Sequence, residues 1–273
     1  MSEALSTVSL TDGAAVSVST LEAAGVAGVA ASAAEGVTLN GATVSLSGKT
    51  TSGTAAGVVL TATSTVDVTG GQVSLKDLTA GALAGVAQDA SGKVTLSGAT
   101  VAVAGVSATG DAAGVALSAG ELSITGSNVS VQGTAAARLA GVASEAAQAV
   151  ALSGTTVELS GFAVEEDVAG VALLAKGGLS LSGGSVKATG ITAKGDVAGV
   201  VPDVEVSVSF TDGARIALST VQAARVAGVA FKFTPAIALT GADVQISSTT
   251  ATGEVAGVVA SAESTVEVRD SSV

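Results

Sequence analysis

The sequence predicts an all-β protein: a single-stranded parallel β-helix of about nine coils, near 29 residues each, with three short strands per coil. Three observations carry this expectation. The triplet Ala-Gly-Val starts at Ala27, Ala56, Ala84, Ala113, Ala140, Ala169, Ala198, Ala227 and Ala256, at intervals of 29, 28, 29, 27, 29, 29, 29 and 29 residues. Two further segments keep the same phase and alternate apolar with polar residues. The composition is dominated by small side chains, with 36 Gly and only four Phe as aromatics, namely Phe162, Phe210, Phe231 and Phe233.

The first segment is the triplet itself. Seven or eight residues beyond each triplet Val comes an apolar-x-apolar pair, as in Val37/Leu39, Val66/Val68, Val94/Leu96, Leu122/Ile124, Val208/Phe210 and Val266/Val268. A polar turn follows, usually Ser, Thr or Asn and then Gly, as at Asn40-Gly41 and Ser97-Gly98. A second pair comes next, from Val44/Leu46 and Val73/Leu75 through to Ile216/Leu218 and Val244/Ile246. Period-two alternation in β-branched residues, punctuated by Gly, reads as short strands. The Gly/Thr-rich stretch before the triplet, as in Gly48 to Thr54, reads as a longer corner.

The same residues explain why the coils must stack. Apolar residues are 48% of the chain, yet small side chains leave a wide globular core unfilled. A narrow core extended lengthwise suits them. One coil buries about seven small apolar side chains, worth roughly 10–15 kcal/mol. Ordering its backbone costs roughly 1–2 kcal/mol per residue, which is more. Stacked coils pair equivalent strands in parallel about 4.8 Å apart and share one core, giving a rod of about 45 Å. Right-handed winding is expected, as for other parallel crossovers. A β-propeller blade needs more than this period, and leucine-rich repeats need a Leu-rich consensus and an Asn ladder that are missing. One solenoid domain over residues 1–273, without evident caps, is the expected organisation.

Composition also excludes function classes. The net charge of -12 argues against phosphate neutralisation, so no nucleic-acid partner is expected. With no Cys and no His, thiol chemistry, the commonest general base and the commonest metal ligand are absent. No run of 18 apolar residues occurs, so no membrane insertion is expected, and MSEALSTVSL lacks the basic and apolar regions of a signal peptide. Gly70-Gly71 and Gly183-Gly184 read as solenoid turns rather than phosphate loops, because no helix follows. β-Helices that act on polysaccharides use outer acids and aromatic platforms, and this chain has no Trp or Tyr. The expectation is a protein that is not an enzyme, with no catalytic, cofactor-binding or metal-binding residues assigned.

Stacking turns repeat-equivalent positions into ladders. Two residues before each triplet lie Gly25, Thr54, Ala82, Asp111, Arg138, Asp167, Asp196, Arg225 and Glu254. Alternating signs in Asp111–Arg138–Asp167 and Asp196–Arg225–Glu254 read as charge pairing between coils. The competing reading makes Asp111, Asp167 and Asp196 a cation or catalytic cluster, with the like-charge step from Asp167 to Asp196 as its centre. A second column before the mid-coil turn holds Thr11, Asn40, Thr69, Ser97, Thr125, Ser153, Ser182, Thr211, Thr240 and Arg269. These hydroxyls are expected to bond local backbone at the turn. The sharper alternative is a flat array that orders ice or binds a glycan, an array that adjacent outward Asp67, Glu158, Lys187 and Glu267 would spoil. A third column, Gly28 through Gly257, and the Ala/Val column from Ala30 to Val259 either form a smooth outer strip or make a corner. In the corner reading, which is preferred, Gly supplies unusual dihedrals and the next residue turns inward. Phe231 and Phe233 with Pro235, and Pro202, are expected to interrupt single coils.

Ser6 to Val16 (STVSLTDGAAV) and Ser264 to Val273 (STVEVRDSSV) share one phase of the repeat. Two open coil edges are therefore expected, met by another copy, by neighbouring repeats of a longer chain, or by a capping domain. The repeat VTLSGATVAVAG, Val94 to Gly105, resembles the β-helical repeats of large surface proteins such as bacterial adhesins and the kinetoplastid dispersed gene family. That resemblance implies an extracellular or cell-surface structural protein, a stalk, adhesin shaft or filament subunit. It carries over no functional residues.

Overall fold

The computed structural model describes residues 3–4, 7–19, 23–48, 53–201, 203–204, 207–233, 236–262 and 265–273. Among them there is no helix, and every strand pairing is parallel. The strands form three faces of a β-solenoid. The first face is a sheet of nine triplet strands, from Gly25–Ala27 to Val255–Ala256, separated by eight turns of the coil. The second face carries the first apolar pair, as in Gly36–Asn40, and the third carries the second pair, as in Thr43–Ser47. Register is the repeat itself: Val26 pairs with Ala55, Val37 with Val66, and Val44 with Val73.

The expected three strands per coil become three faces built from more segments. A strand such as Ala30–Ala33 or Val59–Ala62 follows each bend and joins the second face, which therefore reaches 18 strands among the described residues. At Ala30–Ala33 the two ends are buried and the middle is half-buried, so it lacks the alternation that marks a strand in sequence. Corner segments such as Thr79–Ala80 and Ala163–Val164 add to the third face. The Gly48 to Thr54 corner lies largely outside the described residues.

Pair residues point inward because alternate side chains leave a strand on opposite faces. Leu39, Val68, Leu96, Ile124, Leu152, Leu181, Phe210 and Leu239 form one continuous column, each at most 1% exposed. A single core cluster runs from Val26 to Val244. Phe162 and Phe210 are its largest side chains. Phe162 lies against Gly133, where a Cβ would stand 2.3 Å from its Cζ, so the coil below makes room for the ring.

The triplet Gly turns out to serve close approach. From Gly28 to Gly228, a Cβ would lie 1.8–2.1 Å from the carbonyl oxygen of the next triplet Gly. It would also touch the second-pair side chain across the core, at 2.4 Å from Val44 Cγ1 in the case of Gly28. None of these glycines has a positive φ, so the expected dihedral reason is replaced by a steric one. The inward turn of the following column is as expected, with Ala30, Val59, Ala87 and Ala116 buried. Each bend is stitched to the next coil by three backbone bonds. Gly28 N–H donates to Ala56 O, while Val29 and Ala30 N–H share Val58 O.

Candidate functional site

The charged column is built by the residue two before the triplet, at the mouth of the corner between the third and first faces. Arg138 forks onto Asp111, with Nε 2.9 Å from Oδ1 and Nη2 2.6 Å from Oδ2. That hydrogen bond, ahead of the nearby carboxylates, raises the Arg138 pKa above its ordinary value. Arg225 makes the same fork onto Asp196, with Nε 3.1 Å from both carboxylate oxygens, and its guanidinium stands 4.7 Å above the Phe231 ring centroid.

The pairing is thus selective rather than alternating along the whole column. Arg138 has Glu166 Oε2 at 4.0 Å on its other side. Asp167 Oδ1 instead accepts the Asp196 backbone N–H at 2.8 Å. Such half-exposed pairs contribute about 0–1 kcal/mol each. Among the described residues, no three His, Cys, Asp or Glu side chains converge as a metal would require. Asp111, Asp167 and Asp196 are each held by partners of their own and form no cluster.

The triplet Ala, at the other side of this corner, is buried outside the main core. Ala113, Ala140 and Ala169 sit beneath Leu173, with Leu117 packed against them. Ala198 and Ala227 sit beneath Phe231. The covering residue lies four positions after the triplet Ala, and its bulk at Leu60, Leu117, Leu173 and Phe231 was the available signal. Ser144 takes that position in one coil, opposite Leu117 and Leu173; it is 3% exposed and its Oγ has no partner. Phe231 therefore seals a corner rather than interrupting its coil. Pro202 and Pro235 lie outside the described residues, as does the Phe233 side chain.

The hydroxyl column before the mid-coil turn behaves differently from expectation. Among its described hydroxyls, side-chain hydrogen bonds are made by Ser182 and Thr211 alone, both onto Asp212 Oδ2, at 2.5 and 2.8 Å, while Arg269 pairs with Glu267. Those two bonds, from Ser182 first and Thr211 second, hold the Asp212 carboxyl below the usual range. The backbone of the turn is bonded instead by the residue after the turn Gly. Ser127 Oγ donates to Thr125 O at 3.0 Å and accepts Ala99 N–H at 3.1 Å. Thr155 Oγ1, fully buried, bonds both Ile124 O and Ser153 O, and Ser271 repeats the Ser127 arrangement. The sequence reading missed these residues, although a polar residue in an otherwise Ala/Gly column was visible.

The register also relocates two of the four charges expected to interrupt this array. Asp67 and Glu267 do lie on the second face, in the outward column next to the hydroxyls. Glu158 and Lys187 lie on the third face, paired with each other and flanked by Ser130 and Ala217. The second-face column beside the hydroxyls therefore reads Thr95, Ser123, Ala151, Ser180, Ser209 and Ala238 without a charge for six coils. Lys93 and Glu121, at the rim of the first two rows, pair at 2.8 Å.

A depression of about 460 Å³ lies beside the last coil and is lined by Arg215, Asp243, Asp270 and Ser272 among others. Its Asp243 carboxylate already accepts from Gln245 and Ser272. On the final coil, Val255, Val266, Val268 and Val273 are exposed, whereas the equivalent Val226, Ile237, Leu239 and Val244 one coil earlier are buried. No family model, no curated protein and no solved structure matches this chain.

Proposed function

We propose that the chain is a non-enzymatic structural repeat protein of the cell surface or extracellular space, a stalk, adhesin shaft or filament subunit that continues by stacking coil on coil. The observation that carries this reading is the in-register repeat: Val26, Val37 and Val44 pair with Ala55, Val66 and Val73 one coil on, and their columns stay buried in every described coil from Gly53 to Gly228. Val255 and Val266 continue two of these columns on the last described coil, and Val268 continues that of Leu39. A further coil in the same register would bury them and pair the strand Thr265–Arg269. Fully burying one such side chain is worth about 1.5–3 kcal/mol.

The regular in-register ladder supports a mechanical role, because each coil touches only its neighbours and the rod lengthens without changing its surface. Within the charged column Asp111, Asp167 and Asp196 each bond a neighbouring coil, which favours a structural role for them over a catalytic one. Electron microscopy with light scattering across concentration tests the reading. Rods longer than one chain, shortened by Val266→Asp with Val268→Asp, are the expected result. Single short rods at every concentration would overturn assembly through the coil edges.

A further inference from the structure

Two Asn occur in the chain, Asn40 and Asn128, and only the second opens an Asn-x-Ser/Thr triplet, Asn128-Val129-Ser130. The fold puts that triplet on the outside of the rod. Asn128 begins the third-face strand Asn128–Ala136, just beyond the turn at Thr125 and Gly126. Val129 is buried in the core, so Asn128 and Ser130, two residues apart on one strand, both face outward. Asn128 is exposed and Ser130 half-buried, and among the described residues neither side chain makes a hydrogen bond. Thr100 and Thr156 flank Asn128 on the adjacent coils and carry no charge. The turn beside it is open, since a Cβ added at Gly126 would meet nothing within 4 Å. Asn40 is exposed too, but Gly41 and the buried Ala42 follow it, so it lacks the hydroxyl.

We infer that Asn128 is an acceptor for an N-linked glycan, an inference that rests on the reading of the chain as a cell-surface or extracellular protein. The donor class is a lipid diphosphate-linked oligosaccharide. The side-chain amide nitrogen of Asn128 attacks C1 of its first sugar, the bond from C1 to the diphosphate oxygen breaks, the lipid diphosphate leaves, and the amide loses one proton to solvent. A transferase brings the hydroxyl of the third residue against the amide of the first, which requires a bent triplet. In the finished strand the Asn128 and Ser130 Cα atoms stand about 6.6 Å apart, at about 3.3 Å per residue. There Asn128 N–H is held on Ala99 O at 2.9 Å, and Thr156 N–H on Ser127 O at 3.0 Å. Transfer therefore precedes the stacking of this coil. Once the rod has formed, the glycan stands at the corner between the second and third faces, where it displaces no core side chain and leaves the coil-on-coil contacts uncovered.

Cell-free synthesis of the whole chain behind a cleavable secretory leader, with microsomal membranes present, tests the inference. One glycan per chain is expected, removed by peptide N-glycosidase with conversion of Asn128 to Asp in the peptide mass spectrum. Asn128→Gln and Ser130→Ala should each abolish it. Gln72 and Ala102 already fill those two columns, so the fold accepts both changes. Ser130→Thr should keep the modification, and Asn40→Gln should leave it unchanged. The chain folded beforehand, then added to the same membranes opened with detergent, should stay bare. A chain that loses its leader yet carries no glycan, or a glycan that survives Ser130→Ala, would overturn the inference. Equal modification of the prefolded chain would overturn transfer before stacking. Because the leader is supplied, a bare chain counts against the site alone, while the stacking reading stands or falls on the electron microscopy.

Discussion

Replacing Gly141 by Ala probes the closest contact between coils. A Cβ there would stand 1.9 Å from Gly170 O and 2.6 Å from Val157 Cγ1. Ordinary contact distance to carbon is about 3.5 Å, so the two coils must part by more than an ångström. Neither side can yield locally, because the bend is bonded to the next coil through Gly141 N–H to Ala169 O at 2.9 Å and through Val142 and Ala143 N–H to Val171 O at 2.9 and 3.0 Å. Overpacking costs about 1–3 kcal/mol. Loss of three backbone bonds adds about 1 kcal/mol each, for a total of about 4–6 kcal/mol. That is a large part of a typical folding free energy of about 5–15 kcal/mol. Gly154→Ala is the control: its φ is +55 and nothing lies within 4 Å of the added carbon, so only the left-handed backbone penalty of about 1–2 kcal/mol applies. Urea unfolding followed by far-ultraviolet circular dichroism measures both. Equal losses for the two variants would refute the close-approach argument and return the triplet Gly to a dihedral role.

Phe162→Ala removes one of the two largest fully buried side chains and leaves a cavity beneath Gly133, so a loss of about 3–5 kcal/mol is expected in the same unfolding assay. Ser144→Ala removes a buried hydroxyl with no partner in an apolar corner, and should be neutral or stabilising by about 1 kcal/mol or more, read as a raised urea midpoint. Asp212 has a folded pKa below its unfolded value, so its contribution is present above the unfolded carboxylate range and is lost as pH falls through the lowered folded value. Asp212→Asn should therefore flatten the acid limb of stability against pH, with the nuclear magnetic resonance titration of the Asp212 carboxyl as the direct check.

The repeat made much of this molecule legible. Columns such as Val37, Val66, Val94 and Leu122 are inward because alternation in a parallel strand leaves no other choice once the coils stack, and the structure pairs those residues in that register. The bidentate partners Asp111–Arg138 and Asp196–Arg225 were likewise readable as adjacent opposite charges. The strand after the bend was not, because Ala30–Ala33 buries its two ends and leaves its middle half-buried, a pattern without period two. The turn hydroxyls were assigned to the wrong column for a related reason. Sequence shows that a Ser or Thr precedes the turn Gly, but only the path of the chain shows that Ser127 and Thr155, after the Gly, face the turn carbonyls.

By itself, then, the sequence determined the period, the phase and the inward columns, because these follow from the two-residue alternation and from nine copies of one pattern. The tertiary structure decided what each repeat position does once its neighbours are present. Gly28 and its equivalents are glycines because another coil's carbonyl lies where a Cβ would be, a contact between residues 29 apart that no local pattern encodes. Glu158 and Lys187 leave the hydroxyl face because the chain turns a corner between them and it, and the faces of a solenoid are a property of the folded coil. Distances across the core and around its corners are set by the third dimension, and so are the surfaces they leave free.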